Sequence, residues 1–259
     1  MSLLRRPQKI IIVVRLFYPN SDAGNTIVLH KDSRTNYSEV IYMTIIAPEF
    51  KTCSVCGSTH EYYVLHSTNS FGSPDLDLRP PQMRRSTMGQ WVDECPDCGY
   101  VASDITDPCE VSVDFLKSKE YRTCDGLGFK SNLASRFYRF YKLNLKSNNT
   151  KRAFYAALHA AWACDDEEDN ANSKNCRNLA LNLVDQLIED DPESRDNLLL
   201  MKADLLRRTG HFDELITEYE NIHFEEEIMN KVLAFELELA QKKDTACYTV
   251  SDAVEKSTS

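Results

Sequence analysis

A chain of 259 residues with 42% hydrophobic side chains has enough apolar surface for a real core, which excludes bulk disorder. A formal net charge of -10 excludes a protein whose whole surface binds nucleic acid. The one early apolar run, Ile10 to Val14, is too short to span a bilayer and Arg15 breaks it before any cleavage site, so the chain reads as non-membrane, cytoplasmic and without an export signal.

The charge is unevenly spread. Residues 115–152 carry 10 basic and 2 acidic side chains, whereas residues 153–259 carry 10 basic and 24 acidic ones. The basic stretch offers a phosphate or an acidic partner a landing place, and the simpler reading is that the two segments face solvent or each other. Cysteine usage is also informative: of nine cysteines, four form two Cys-x-x-Cys pairs and the rest are scattered. An odd, partly paired set suits a reducing compartment and a metal site better than a disulfide framework.

Along the chain, residues 1–43 read as an N-terminal extension. Its β-branched runs at Ile10–Phe17, Ile27–His30 and Val40–Tyr42 are separated by a turn-like Pro19–Gly24. Met43 would itself make a sensible translation start, so this segment is read as an appendage or a misassigned start. Residues 44–107 read as short strands and loops, with Thr44–Pro48 a strand leading into Cys53. Residues 108–152 read as connecting amphipathic helices: Leu133, Phe137, Phe140, Tyr141 and Leu145 form an apolar stripe, with Arg136, Arg139 and Lys142 between them as a basic face.

Residues 153–243 read as helical hairpins. Leu199, Ala203, Leu206, Gly210, Phe212, Leu215, Tyr219 and Ile222 have the spacing of a tetratricopeptide (TPR) repeat. Phe154–Ala163 and Ala180–Ile188 read as an earlier copy, joined by a long loop Asp165–Asn175 whose acid run Asp165–Asp169 is taken as solvated. Ile228–Lys242 reads as a capping helix, and residues 244–259 as a disordered tail. The expected fold class is therefore α+β, a small β-rich module followed by a TPR-like α-helical array.

The strongest chemical signal is Cys53, Cys56, Cys95 and Cys98. Two residues between cysteines let both sulfurs face one ion from a single turn, and four thiolates complete the tetrahedron of one structural Zn2+. Gly57 and Gly99 follow the pairs, where a left-handed backbone brings N–H groups toward the sulfurs. The 38 residues between Cys56 and Cys95 imply an insertion between two knuckles. A filled coordination sphere leaves no place for a reactive water. His60 and His66 are alternative ligands for one thiolate, and a dithiol redox pair is the competing chemistry.

Within the insertion, Asp75, Asp77, Arg79, Arg84 and Arg85 stand either for a buried ion-pair network fastening the insertion to the helices or for an exposed anion, ligand-binding or hydrolytic site. No Ser-His-Asp order, phosphate-binding glycine loop or zinc-protease histidine pair occurs, so the sequence lends enzyme activity no support.

The first knuckle Cys53-Ser54-Val55-Cys56, the block Pro74-Asp75-Leu76-Asp77-Leu78-Arg79-Pro80-Pro81 and the run Trp91 to Tyr100 together resemble a bacterial domain-of-unknown-function family. That family pairs a split four-cysteine zinc ribbon with a TPR-like helical tail. The resemblance covers roughly residues 44–240, implies a bacterial cytosolic protein with these four metal ligands, and carries no reaction with it; the strands before Met43 depart from it. The function these readings favour is a non-catalytic zinc-binding module for a protein or peptide partner, with nucleic-acid binding through residues 115–152 the less favoured alternative and no membrane partner.

Overall fold

The computed structural model describes residues 44–257 and, as backbone only, two further strands, β1 (Ile11–Leu16) and β2 (Asn25–His30). These two pair antiparallel from Ile11↔His30 to Leu16↔Asn25, within a unit Met1–Tyr42 that is separate from the unit Met43–Ser259. The turn expected at Pro19–Gly24 and the strand expected at Val40–Tyr42 lie outside the described residues.

The second unit is α+β, with two small antiparallel hairpins ahead of a run of helices. β3 (Ile45–Thr52) pairs with β4 (Thr59–Ser67) down to Thr52↔Thr59, so the turn between them is Cys53–Ser58. β5 (Asp93–Glu94) pairs with β6 (Val101–Ala102) through Glu94↔Val101, and their turn is Cys95–Tyr100. Each cysteine pair thus sits at a hairpin tip, where the backbone must reverse and a left-handed glycine is useful: Gly57 has φ +75° and Gly99 φ +71°.

Short helix α1 (Gln82–Arg85) lies between the two hairpins, and α2 (Val113–Lys117) and α3 (Lys119–Arg122) connect the second hairpin to the long helices. Next come α4 (Asn132–Lys146), α5 (Thr150–Asp166) and α6 (Asn170–Asp190), then α7 (Arg195–Thr209), α8 (Phe212–Tyr219), α9 (Glu227–Gln241) and α10 (Val250–Lys256). Side-chain oxygens of Ser131, Asn149 and Asp169 accept the first free N–H groups of α4, α5 and α6, which fixes where each helix starts.

Helix α5 lies between α4 and α6 and is buried around most of its girth. Its alanines, Ala153, Ala156, Ala157, Ala160, Ala161 and Ala163, are all nearly inaccessible, and their small size lets both neighbours approach closely. Phe137 and Tyr141 of the expected α4 stripe are buried here, while Leu145 remains 42% exposed. One core joins the hairpins to α4–α6, through Val92, Ile105, Phe137, Phe154 and Val184. A second is built by α7–α10 around Ala203, Leu215, Tyr219 and Leu233.

Two expectations are corrected. The connection between α5 and α6 is only Glu167–Asp169, because the acids flanking it are structural: Asp165 stays in α5 and binds Arg177 and Arg208, and Asp169 caps α6. Residues 244–257 do not form a disordered tail. Thr249 and Asp252 make a reciprocal capping box at the start of α10, and Ala253 is buried in the second core.

The insertion between the knuckles docks on the helices. Leu76 N–H donates to Tyr248 C=O (2.9 Å), Val250 N–H donates to Pro74 C=O (3.0 Å), and Leu76, 2% exposed, enters the core of α7–α10. In the same segment Asp77 reaches α5 and α6.

Candidate metal centre

The four sulfurs of Cys53, Cys56, Cys95 and Cys98 lie within 4.8 Å of one another. Cys53 Sγ is 3.6 Å from Cys98 Sγ, and Cys56 Sγ is 3.5 Å from Cys95 Sγ, so each close pair spans the two hairpins. A tetrahedral ion with metal–sulfur bonds of about 2.3 Å sets its ligands about 3.8 Å apart, and the cluster fits such an ion. Cys53 and Cys95 are buried, Cys98 is half-buried and Cys56 is exposed, so the centre lies just beneath the surface.

The two knuckles repeat one backbone pattern. Cys53 N–H donates to Ser58 C=O and Gly57 N–H to Cys53 C=O; Cys95 N–H donates to Tyr100 C=O and Gly99 N–H to Cys95 C=O. Backbone N–H groups also reach the sulfurs, from Val55 and Cys56 to Cys53, from Ser58 to Cys56 and from Tyr100 to Cys98. Such donors stabilise thiolate charge and orient it. The Ser58 hydroxyl, 2.8 Å from Cys56 Sγ, is the main cause holding that thiol down to about 6, whereas burial pushes the Cys53 and Cys98 thiols up. Four sulfurs this close, two of them on buried cysteines, repel one another as thiolates unless a cation neutralises them, and a divalent ion does so.

The frame around the cluster is tied across the knuckles. Ser54 N–H donates to Ile105 C=O and Ser54 Oγ to Asp107 C=O, while Lys51 bridges Asp93 (3.0 Å) and Asp104 (3.2 Å). Tyr121 Oη donates to Gly99 C=O at 2.9 Å, bringing α3 against the second knuckle. The two histidines are placed elsewhere: His60 faces Asp97 at 3.0 Å and His66 faces Glu49 at 3.2 Å, and neither belongs to the metal-ligating group.

The charged residues of the insertion divide. Asp75 takes Arg85 at 2.6 Å. Asp77 accepts the Trp162 indole N–H at 2.6 Å and lies 3.4 Å from the Arg177 guanidinium, which also grips Asp165 at 2.7 Å. Arg79 pairs with Asp166 at 2.5 Å. Asp77 and Arg79 fasten the insertion to α5 and α6, and the Asp75–Arg85 pair ties the insertion to itself. Arg84 differs: it is exposed and has no side-chain partner among the described residues.

No protein-family model, curated protein or solved structure matches this chain. The functional reading therefore rests on the site itself.

The basic stretch 115–152 is partly neutralised within the fold, while Lys117, Lys119 and Lys146 are exposed and in no ion pair among the described residues. Arg139 makes a bidentate pair with Glu94 (2.6 and 2.8 Å), Lys142 pairs with Glu120 and Asp125, and Lys151 with Asp191. Arg136 donates to Val92 C=O, and Arg122 donates to Leu116 C=O and Cys98 C=O. The face drawn from sequence as basic and solvated is thus partly an inward-facing one, with Arg139 9% exposed.

Sequence reasoning missed Ser58, whose only signal is its place after Cys56-Gly57. It also missed the buried Asp204–Arg207–Glu236 cluster, whose members look like ordinary helix-surface charges when read one element at a time. Among the described residues no helix is long and apolar enough to cross a membrane.

Proposed function

We propose that this protein is a zinc-stabilised, non-catalytic interaction module, in which one structural Zn2+ held by Cys53, Cys56, Cys95 and Cys98 locks a split zinc ribbon onto a TPR-like helical array. The observation that carries the reading is the closed set of four sulfurs at two matched hairpin tips. Soft thiolates in a tetrahedron select zinc over magnesium or calcium, and four of them leave no coordination position for a substrate or water. All nine cysteines are free thiols, which suits a reducing, cytoplasmic setting.

The partner is a protein or peptide. With residues 74–79 lying on the helices, an open apolar surface among the described residues is the β3–β4 hairpin. Phe50 is 76% exposed and Tyr63 41% exposed, on the same face of a two-stranded sheet whose outer edges pair with no further strand among the described residues. Nucleic acid is the weaker reading because several of the cations that would meet phosphates, Arg139, Lys142 and Lys151, are already paired with acids.

The test has two parts. Metal analysis of the purified chain is expected to give one zinc per chain, lost in Cys95→Ser, with a cooperative fall in melting temperature on chelation. No metal, with the cysteines reacting as dithiols, would replace this reading by redox chemistry. A Phe50→Ser/Tyr63→Ser double variant with an unchanged melt is expected to lose a protein that the wild-type chain retains from a bacterial lysate. Retention of RNA that salt removes would favour the nucleic-acid reading.

A further inference from the structure

Between the end of β4, the insertion and helix α5 lies a cleft of about 660 Å³, a volume suited to a small organic ligand. One wall is aromatic. The His159 ring has its centroid 4.9 Å from that of Trp162, 5.1 Å from Trp91 and 6.3 Å from Tyr155. The polar edges of both indoles are already used, Trp162 N–H on Asp77 and Trp91 N–H on the Thr87 hydroxyl, so what they offer a ligand is ring surface.

Leu78 and Arg84, both exposed, also line the cleft. Leu78 ends a tight turn in which its N–H donates to Asp75 C=O (2.9 Å) and Asp75 N–H donates to Arg79 C=O (3.0 Å). That position has φ +62°, a left-handed backbone that favours Gly or Asn, yet it carries a leucine that is 41% exposed. Core packing does not account for a strained, exposed leucine there; a surface that needs covering does. The ion pairs of Asp77 and Arg79 hold this turn rigid and so set where Leu78 stands.

The charges in the cleft point to one ligand chemistry. Asp77 is saturated by Trp162, the Arg79 N–H and Arg177, and His66 faces Glu49. Arg84 alone keeps an unpaired guanidinium, and no hydrogen-bond partner occupies the His159 ring nitrogens among the described residues. We propose that this cleft binds a small planar aromatic or heteroaromatic molecule bearing one anionic group, its ring against the Trp91–His159–Trp162 wall, its anion on Arg84 and Leu78 folded over its open face. This site is separate from the metal centre and borders the hairpin face through Leu65.

The chain contains two tryptophans, and both line the cleft, so labelling with 5-fluorotryptophan gives two 19F signals that report on it directly. The probes are 1-naphthoate, the neutral 1-naphthalenemethanol, and inorganic phosphate. Saturable movement of both signals is expected with naphthoate, about tenfold weaker binding of the alcohol, and no response to phosphate alone. Arg84→Gln, an exposed position, is expected to lower naphthoate affinity about tenfold and leave the alcohol unchanged. Leu78→Gly is expected to weaken both aromatic probes. The proposal fails if neither signal moves up to the solubility limit, if acid and alcohol bind equally, or if Arg84→Gln binds naphthoate as the wild type does.

Discussion

Asp204, Arg207 and Glu236 are all within 1% of complete burial. Arg207 donates Nε to Glu236 Oε2 at 2.5 Å and Nη2 to Asp204 Oδ1 at 2.6 Å. The other oxygens, Asp204 Oδ2 and Glu236 Oε1, have no partner when both acids are ionised, and the two carboxyls are within hydrogen-bonding reach of each other. One guanidinium cannot balance two dry carboxylates. Burial holds both acids above their ordinary range, Glu236 well above, so one proton stays on the pair and satisfies both orphan oxygens.

The unfolded chain ionises a glutamate near pH 4.3. Above that pH folding takes up a proton, so the stability this group contributes is complete below about pH 4.3 and declines by about 1.4 kcal/mol per unit as pH rises toward the folded value. Glutamine has the shape of the protonated acid, can donate to Asp204 and accept from Arg207, and cannot ionise. Glu236→Gln is therefore expected to gain on the wild type by about 1.4 kcal/mol per pH unit above pH 5, while the native acid stays protonated. Urea unfolding of both proteins at pH 5, 6, 7 and 8 measures this, and the pH response of the cysteines cancels in the difference. Parallel stability curves would refute the shared proton.

Further predictions concern other parts of the fold. Burial and the Arg79 charge hold His159 down to about 4, against the rise favoured by Asp77. Its stability contribution is complete above the unfolded value near 6.5 and is lost as pH falls toward 4, so His159→Phe should remove up to about 3 kcal/mol of acid sensitivity in unfolding curves at pH 7 and 4.5. Arg139→Met leaves Glu94 without its bidentate partner and should cost about 2 kcal/mol, with a loss under about 0.5 counting against a fastening role for this pair. Thr249→Ala removes one arm of the α10 capping box and should cost about 1 kcal/mol, with faster hydrogen exchange at the Leu76 amide. Leu78→Gly should raise stability by about 1 kcal/mol in a thermal melt, because the left-handed backbone no longer carries a side chain.

The metal cluster and the helical run were legible because their signals are local. Cys53 to Cys56 and Cys95 to Cys98 each sit in one turn, and the apolar spacing of α5 and α7 repeats within a few residues. What the sequence hid depends on pairs far apart along it. Asp165 looks like the start of a solvated acidic loop until Arg177 and Arg208 fold back onto it. Asp77 and Arg79 read equally well as a binding site, and only Trp162, Arg177 and Asp166 make them struts. The C-terminal residues have weak helical signals of their own, and their order comes from the insertion they pair with.

That pairing sets the timing of folding during synthesis. Both knuckles have left the ribosome once residue 100 has emerged, and the sulfurs can take their ion early. The insertion between them cannot dock then, because Ser73 and Pro74 meet Ser251 and Val250, partners up to 178 positions later in the chain. Until those residues arrive, Asp77 and Arg79 can already reach Trp162, Asp166 and Arg177, but the backbone contacts of Pro74 and Leu76 are missing, an interval in which a chaperone or protease can act. A chain cut short before Tyr248 would therefore keep its metal centre and the struts of Asp77 and Arg79 but lose the backbone contacts of Pro74 and Leu76, a length check built into that pairing.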